Sequence, residues 1–380
     1  MSNEGEYADR TVVGDPVDLT VADLEAAGLG SQLATIEDAV ADHLDGSVAN
    51  VAVVAEPYAG RDVLLEYAEE QLGAAAGHVA FDELVTDFAA VDVPNREVVV
   101  VEGCHHLYAR RIGGFDALNA FLDHIAASDA LFVTAWNRWA WDYLAAVQDL
   151  DRAFPVHVHV PRLDPESVSA LVREHVDDLP AFVESDDHGR VKTVDFDRAT
   201  VDVAGRELSV PVPELNVEYL TARDMGEEYG ETERVVYERL ARLAEGNPGV
   251  ALALWDRSVR DGELSPTDLE EPEAALDLDD DEAMTLTTVL CNETLSMRSL
   301  REILPDVDVA QAVQTLDHQE LVELERDARP RSGDDAEAES EPLADGDGTG
   351  SVDERADVLS VAPERFHAAV EHLEGRRLLW

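Results

Sequence analysis

Lysine is all but missing. Lys192 is the only one among 28 basic residues in a chain of 380, and 83 acidic residues set the formal charge at −55. So little positive charge excludes a surface that recruits nucleic-acid phosphates by default. It equally excludes simple adhesion to anionic lipid. Cysteine is scarce too: Cys104 and Cys291 lie far apart, each inside an apolar segment. Two cysteines do not make a stapled secreted domain, and they read as buried thiols in a reducing compartment. No apolar run reaches the roughly 18 residues of a membrane span. The opening MSNEGEYADR has neither the positive nor the apolar stretch of a signal peptide. The expectation is a soluble, cytoplasmic protein without internal repeats.

What is present is an ordinary core under an extraordinary charge. Hydrophobic residues make up 45% of the chain, enough for a globular fold. The length predicts roughly two to three domains of about 100–200 residues each. Self-repulsion at this charge is severe in dilute buffer. In about 1 M salt the Debye length falls to roughly 3 Å and such a surface becomes tolerable. The acids run along the whole chain rather than forming one tail. In this the chain resembles proteins of halophilic archaea that accumulate salt.

Residues 1–30 are acidic and weakly patterned. From Ser31, an N-cap candidate, Leu33, Ile36, Val40 and Leu44 recur at helical spacing. Asn50–Ala55 reads as a buried strand, followed by EPYAGRD and a helix to about Gln71. Val98–Val101 with Glu102, Ala130–Ala135 and VHVHV after Phe154 read as further strands, and residues 115–127 as a helix. Buried strands alternating with helices predict an α/β fold, a parallel sheet covered on both faces, over 31–161. A helical lid follows over 162–260: a helix at 165–176 with Asp164 as cap, a β-hairpin insertion at 186–215, a helix at 231–244, and a GNPG break continuing through Trp255. Residues 261–282 are an acidic linker. In 283–380, helices at 283–292, 297–304 and 308–319 lead to strands at 321–326 and 358–361 and a helix at 363–374. Between those strands, 327–355 is acidic, low in complexity and expected to be disordered. That order describes a C-terminal winged helix-turn-helix with an expanded acidic wing.

A strand, a glycine-ended loop and a helix N-terminus form the arrangement that cradles phosphate, with the pattern G-x-x-x-x-G-K-[ST]. Here Ala55-Glu56-Pro57-Tyr58-Ala59-Gly60-Arg61-Asp62 stands in its place. The second glycine is kept, while Ala55, Arg61 and Asp62 replace glycine, lysine and the hydroxyl. Glu102 occupies the end of a Walker B-like strand, and Gly103 stands where many ATPases carry a glutamate. Together with Gly246-Asn247-Pro248, this order resembles the AAA+/STAND class of P-loop ATPases, in both its archaeal origin-recognition-like branch and its STAND signalling branch. The resemblance implies ATP or ADP with Mg²⁺ as cofactor. It implies that Glu56, Pro57, Tyr58, Ala59, Gly60, Arg61, Asp62, Asn247 and Pro248 bind the nucleotide, with Gly60 and Arg61 on phosphate and Pro248 against adenine. Asp62 or Glu102 would orient Mg²⁺, Asn137 would sense the γ-phosphate, and Arg152 would act as a finger on a neighbouring copy in a homo-oligomer. The departures at Ala55, Arg61, Asp62 and Gly103 speak against efficient hydrolysis.

Plainer readings stand beside these. Glu102 and Asn137 can simply finish strands, and Arg152 can be a surface cation. His105-His106 beside Cys104 lacks zinc spacing. His157 and His159 share one strand face and read as buried imidazoles against helices. Trp136, Trp139 and Trp141 read as packing anchors. The presumptive recognition helix, DVDVAQAVQTLDHQEL, has no arginine or lysine, which disfavours DNA and favours a protein partner docking on the winged helix or the lid. The expected function is a nucleotide-dependent regulatory or scaffolding switch with weak or absent hydrolysis. Its rivals are an active ATPase working on DNA and a nucleotide-free interaction module whose phosphate loop is closed by side chains.

Overall fold

A computed structural model describes residues 18–47, 49–72, 76–183, 194–203, 206–215, 228–270, 276–326 and 357–379. It opens with α1 (Val21–Ala26) and α2 (Gly30–Leu44), followed by β1 (Val51–Ala55), α3 (Arg61–Leu72), β2 (Ala76–Ala80) and β3 (Val98–Glu102). Next come α4 (Asp116–Ala127), β4 (Leu131–Asn137), α5 (Arg138–Val147), α6 (Leu150–Ala153) and β5 (Val156–His159). The five strands form one parallel sheet in the order β2-β3-β4-β1-β5. Parallel neighbours need long crossovers, and the helices between the strands supply them.

The apolar runs that announced the strands are explained by two-sided burial. Successive side chains point to opposite faces. Val51 and Val53 therefore pack with Leu64, Leu65 and Ile36, while Ala52 and Val54 pack with Phe121, Phe132 and Trp136. With both faces covered there is no polar alternation to read.

Several elements differ from expectation. α2 begins at Gly30 with Leu29 before it, and the Ser31 hydroxyl bonds to Gln32 instead of capping the helix. The stretch read as weakly patterned contains α1, six residues long and closed by a capping box between Thr20 and Asp23. β2 was unread because AGHVA is short and interrupted by glycine. The tryptophan-rich stretch is α5, begun by Asn137 at the end of β4. Trp136, Trp139 and Trp141 are all buried.

Beyond the sheet, α7 (Pro165–His175) is capped by Asp164 and packs against α8 (Glu228–Leu243). The two-residue strands β6 (Ala181–Phe182) and β9 (Glu263–Leu264) pair with each other. β7 (Val194–Val203) and β8 (Arg206–Leu215) form an antiparallel hairpin, and α9 (Pro248–Ser258) follows the GNP turn. Last come α10 (Asp280–Asn292), β10 (Leu295–Ser296), α11 (Met297–Ile303), α12 (Val309–His318), β11 (Val322–Arg326), β12 (Asp357–Val361) and α13 (Phe366–Gly375). β10, β12 and β11 make a three-stranded antiparallel sheet. The acidic segment 327–355 and residues 1–17 lie outside the described residues.

One continuous apolar cluster runs from the sheet (Val53, Val133) through the lid (Leu240, Leu252) to the C-terminal helices (Leu286, Leu316, Leu373). Cys104 and Cys291 are buried free thiols. Among the described residues no helix is long and apolar enough to cross a membrane.

Candidate functional site

The carboxyl end of β1 turns through residues 56–60 into α3, and parts of the lid and of the C-terminal unit meet there. Pro57 has no N–H to offer an anion, and the Ala59 N–H donates to the Glu56 carbonyl at 3.3 Å. Tyr58 takes a positive φ of 65°. Ala59 and Gly60 are buried. Glu56, also buried, accepts from Arg138 at 2.5 Å and from Arg162 at 3.0 Å. Arg162 also pairs with Glu245, which reaches His367 Nε2 at 2.8 Å. A chain of charges thereby links loop, lid and C-terminal helix.

The lid is bonded to the loop through backbone. Asn247 caps α9 through its Oδ1, and its Nδ2 donates to the Pro57 carbonyl at 2.8 Å. The Gly249 N–H donates to the Tyr58 carbonyl at 2.9 Å, so close that a Cβ at 249 would lie 2.4 Å from that oxygen. Pro248 is the first residue of α9 and is buried in this seam. On the other side the Tyr58 hydroxyl donates to the Val361 carbonyl, and its ring meets Phe366 edge-on at 5.6 Å.

Arg61 stands where the phosphate-binding lysine is expected, 6% exposed. Its guanidinium forks onto Glu293, with Nη1–Oε1 and Nη2–Oε2 both 2.7 Å. Asn137, fully buried, donates from Nδ2 to the same Oε1 at 2.9 Å and to the Leu290 carbonyl at 2.9 Å; its Oδ1 accepts from the N–H groups of Trp139 and Ala140. Glu293 directly follows α10 at φ 62°. Burial opposes its ionisation, but the Arg61 guanidinium, His105 and the bonds from Arg61 and Asn137 outweigh it and bring its pKa down to about 2. A carboxylate of the same chain thus joins the loop cation to the strand-end amide.

The remaining candidates fall around this cluster. Asp62 lies 3.5 Å from Arg61 Nε, and burial raises its pKa against the lowering effect of Arg61. A carboxyl held towards its neutral form beside a guanidinium does not suit a hard cation. Glu102 ends β3 with 19% of its side chain exposed, 3.7 Å from His78 Nε2, and keeps the chemistry of a Mg²⁺ ligand. Gly103 takes φ 66°, and a Cβ there would lie 2.2 Å from the Phe81 carbonyl oxygen, so a glutamate has no room to begin. His105 and His106 are buried with each Nδ1 unpartnered; burial, foremost, lowers the pKa of His105 to about 4 and that of His106 well below the ordinary value. Arg152 is exposed on α6, and no contact described above includes it. His157 and His159 are exposed on β5, which corrects the buried reading, because the alternate residues Val156 and Val158 are the ones that pack against the core.

Sequence reasoning passed over Glu293, Arg138 and Arg162. Arg138 and Arg162 each sit just past a strand end, a place that signals a site. Glu293 lies 232 positions from its partner Arg61 and carries no local mark.

No family model matches the chain, and neither does any curated protein. Among solved structures the chain is similar to the RuvB Holliday junction branch migration motor of Thermotoga maritima, at 12% identity and TM-score 0.37, covering 79% of this chain and 89% of that one. It is similar to Cdc6p of Pyrobaculum aerophilum at 9% identity and TM-score 0.38, over 91% and 94%. It is also similar to the Aeropyrum pernix Orc1 protein in complex with DNA, at 12% identity and TM-score 0.35, over 92% and 94%. Likenesses of this size carry no inference about ligands. On its own strand order and its strand–loop–helix unit, the chain has a P-loop NTPase-type α/β fold.

Proposed function

We propose that the chain is a nucleotide-responsive regulatory or scaffolding switch that hydrolyses ATP weakly or not at all. The observation that carries this reading is the convergence on one loop. Pro57 and Tyr58 bond to the lid, while Tyr58 and Arg61 bond to the C-terminal unit. Anything that enters residues 56–61 therefore displaces parts of both, which is how a local ligand is read out globally. The blocked position at Gly103 supports poor hydrolysis, since no carboxylate stands there to orient water. Glu102 is the residue suited to Mg²⁺, and Asn247 and Pro248 would border adenine.

The winged-helix reading of the C-terminal unit favours a protein partner. Asp306, Asp308, Asp317 and Glu320 are exposed along α12 and its ends, a poor match to DNA phosphates. A homo-oligomer is one form that such docking can take.

A second reading, a nucleotide-free interaction module, is favoured by Pro57 and by the internal Ala59 bond, which remove two amides from the loop. Thermal unfolding in molar KCl with excess Mg·ATP or Mg·ADP separates the two. Ligand at about 100 times its Kd stabilises by about 2.7 kcal/mol. The switch predicts a clear rise in Tm that Arg61→Ala reduces, with no phosphate release above blank. No rise with either nucleotide selects the interaction module.

A further inference from the structure

Resting on the nucleotide-responsive reading, we infer that Glu293 is an in-chain occupant of the γ-phosphoryl position and makes the site selective for a nucleoside diphosphate over a triphosphate. The residue at the lysine position of a phosphate loop reaches the β- and γ-phosphates. In this chain that residue is Arg61, and its fork is filled by the two oxygens of Glu293 at 2.7 Å each. Asn137, at the carboxyl end of the strand beside β1, bonds to one of the same oxygens at 2.9 Å. A group held at once by the loop cation and by this strand-end amide sits at the outer end of a bound phosphate chain. Carboxylate and phosphoryl oxygens present the same bidentate edge to a guanidinium, so one substitutes for the other.

Glu293 keeps its charge in this place, and a second anion cannot share the fork without repelling it. The occupant is also tethered. Asn137 holds the Leu290 carbonyl, Arg111 Nη1 donates to the Glu302 carbonyl at 3.0 Å, and Tyr58 holds Val361. A tethered group competes at high effective concentration. A diphosphate carries no γ-phosphoryl group to set against Glu293 and leaves it seated, whereas a triphosphate must expel it and loosen the seam between α10 and the sheet. This selectivity works by an element that repels the wrong ligand rather than by one that attracts the right one.

The test is calorimetric titration of the full chain in molar KCl with Mg·ADP, Mg·ATP and inorganic phosphate, for the wild type, Glu293→Gln and Glu293→Asp. The wild type is expected to bind Mg·ADP about tenfold or more tighter than Mg·ATP, a coupling of ordinary size. Glu293→Gln, which keeps the shape and removes the charge, is expected to abolish that preference by raising Mg·ATP affinity alone. Glu293→Asp should keep the preference in part, and inorganic phosphate should bind measurably only to Glu293→Gln. Hydrogen exchange of residues 290–296 is expected to quicken with Mg·ATP and not with Mg·ADP. Nucleotide binding with a ratio that Glu293→Gln leaves unchanged, or a wild type that prefers Mg·ATP, overturns the inference and leaves the switch standing. Absence of binding in all three proteins overturns both. Should Glu293→Gln not fold, the wild-type ratio and Glu293→Asp still decide.

Discussion

The loop at residues 56–61 has two seams, and they are made of different material. Toward the lid, beside the Glu56–Arg162–Glu245 charges, Pro57 and Tyr58 offer carbonyls to Asn247 and to the Gly249 N–H, neutral groups set at close approach. Toward the C-terminal unit, Arg61 meets Glu293 as a nearly buried ion pair braced by Asn137. Neutral backbone bonds are indifferent to salt and pH, and shape holds them. A buried ion pair is strong only while both partners are present, because either alone is a charge without compensation. The neutral contacts of the first seam are held shut by shape, and the ion pair of the second responds to charge.

That contrast orders the effects of substitution. Arg61→Ala leaves Glu293 ionised and unpaired, and is expected to cost about 3–5 kcal/mol in chemical denaturation in molar KCl. Removing both partners in Arg61→Met/Glu293→Leu should recover most of that loss, and a double mutant no better than Arg61→Ala would put the effect elsewhere.

Acid is the next largest perturbation. The folded pKa of His105 lies at about 4, below the ordinary 6.5. The fold therefore favours the neutral ring, and its stabilisation is full above 6.5 and lost as the pH falls toward 4. Glu293 has a folded pKa of about 2, so its contribution is lost only below the ordinary carboxylate range. Equilibrium unfolding against pH should thus weaken first through the histidine window, and His105→Gln should flatten that first limb.

On the neutral seam, Gly249→Ala drives a methyl against the Tyr58 carbonyl at 2.4 Å, with an expected cost of about 1–3 kcal/mol. Asn247→Ala removes both the cap of α9 and the Pro57 bond, at about 1–2 kcal/mol. Neither loss should vary with KCl, whereas that of Arg61→Ala should. The smallest effect belongs to Arg257–Glu364, an exposed lid-to-C-terminus pair at 3.0 Å. Arg257→Ala is expected to shift stability by less than about 1 kcal/mol.

Legibility in the sequence followed the range of the forces involved. The runs VAVVA, VVVVE and LFVTAW announced their strands because two-sided burial leaves its mark within five or six residues. The start of α9 was legible because the GNP turn and its helix are adjacent, whereas the cap that Asn247 makes was not read. β2 escaped because a short edge strand containing Gly77 needs only one neighbour. Arg61 was read as a phosphate-binding cation, and its partner Glu293 was not read at all, since α10 reaches the loop only through tertiary packing. The tryptophans were read as anchors and are buried, because large apolar area dominates wherever it occurs.

Gly103 limits what its position can become. The Phe81 backbone closes over it, with the Phe81 N–H donating to the Glu102 carbonyl at 3.2 Å. Any side chain introduced at 103 meets main chain, which no rotamer relieves. A single substitution to glutamate therefore does not seat a carboxylate at this place: the main chain at Phe81 has to move with it.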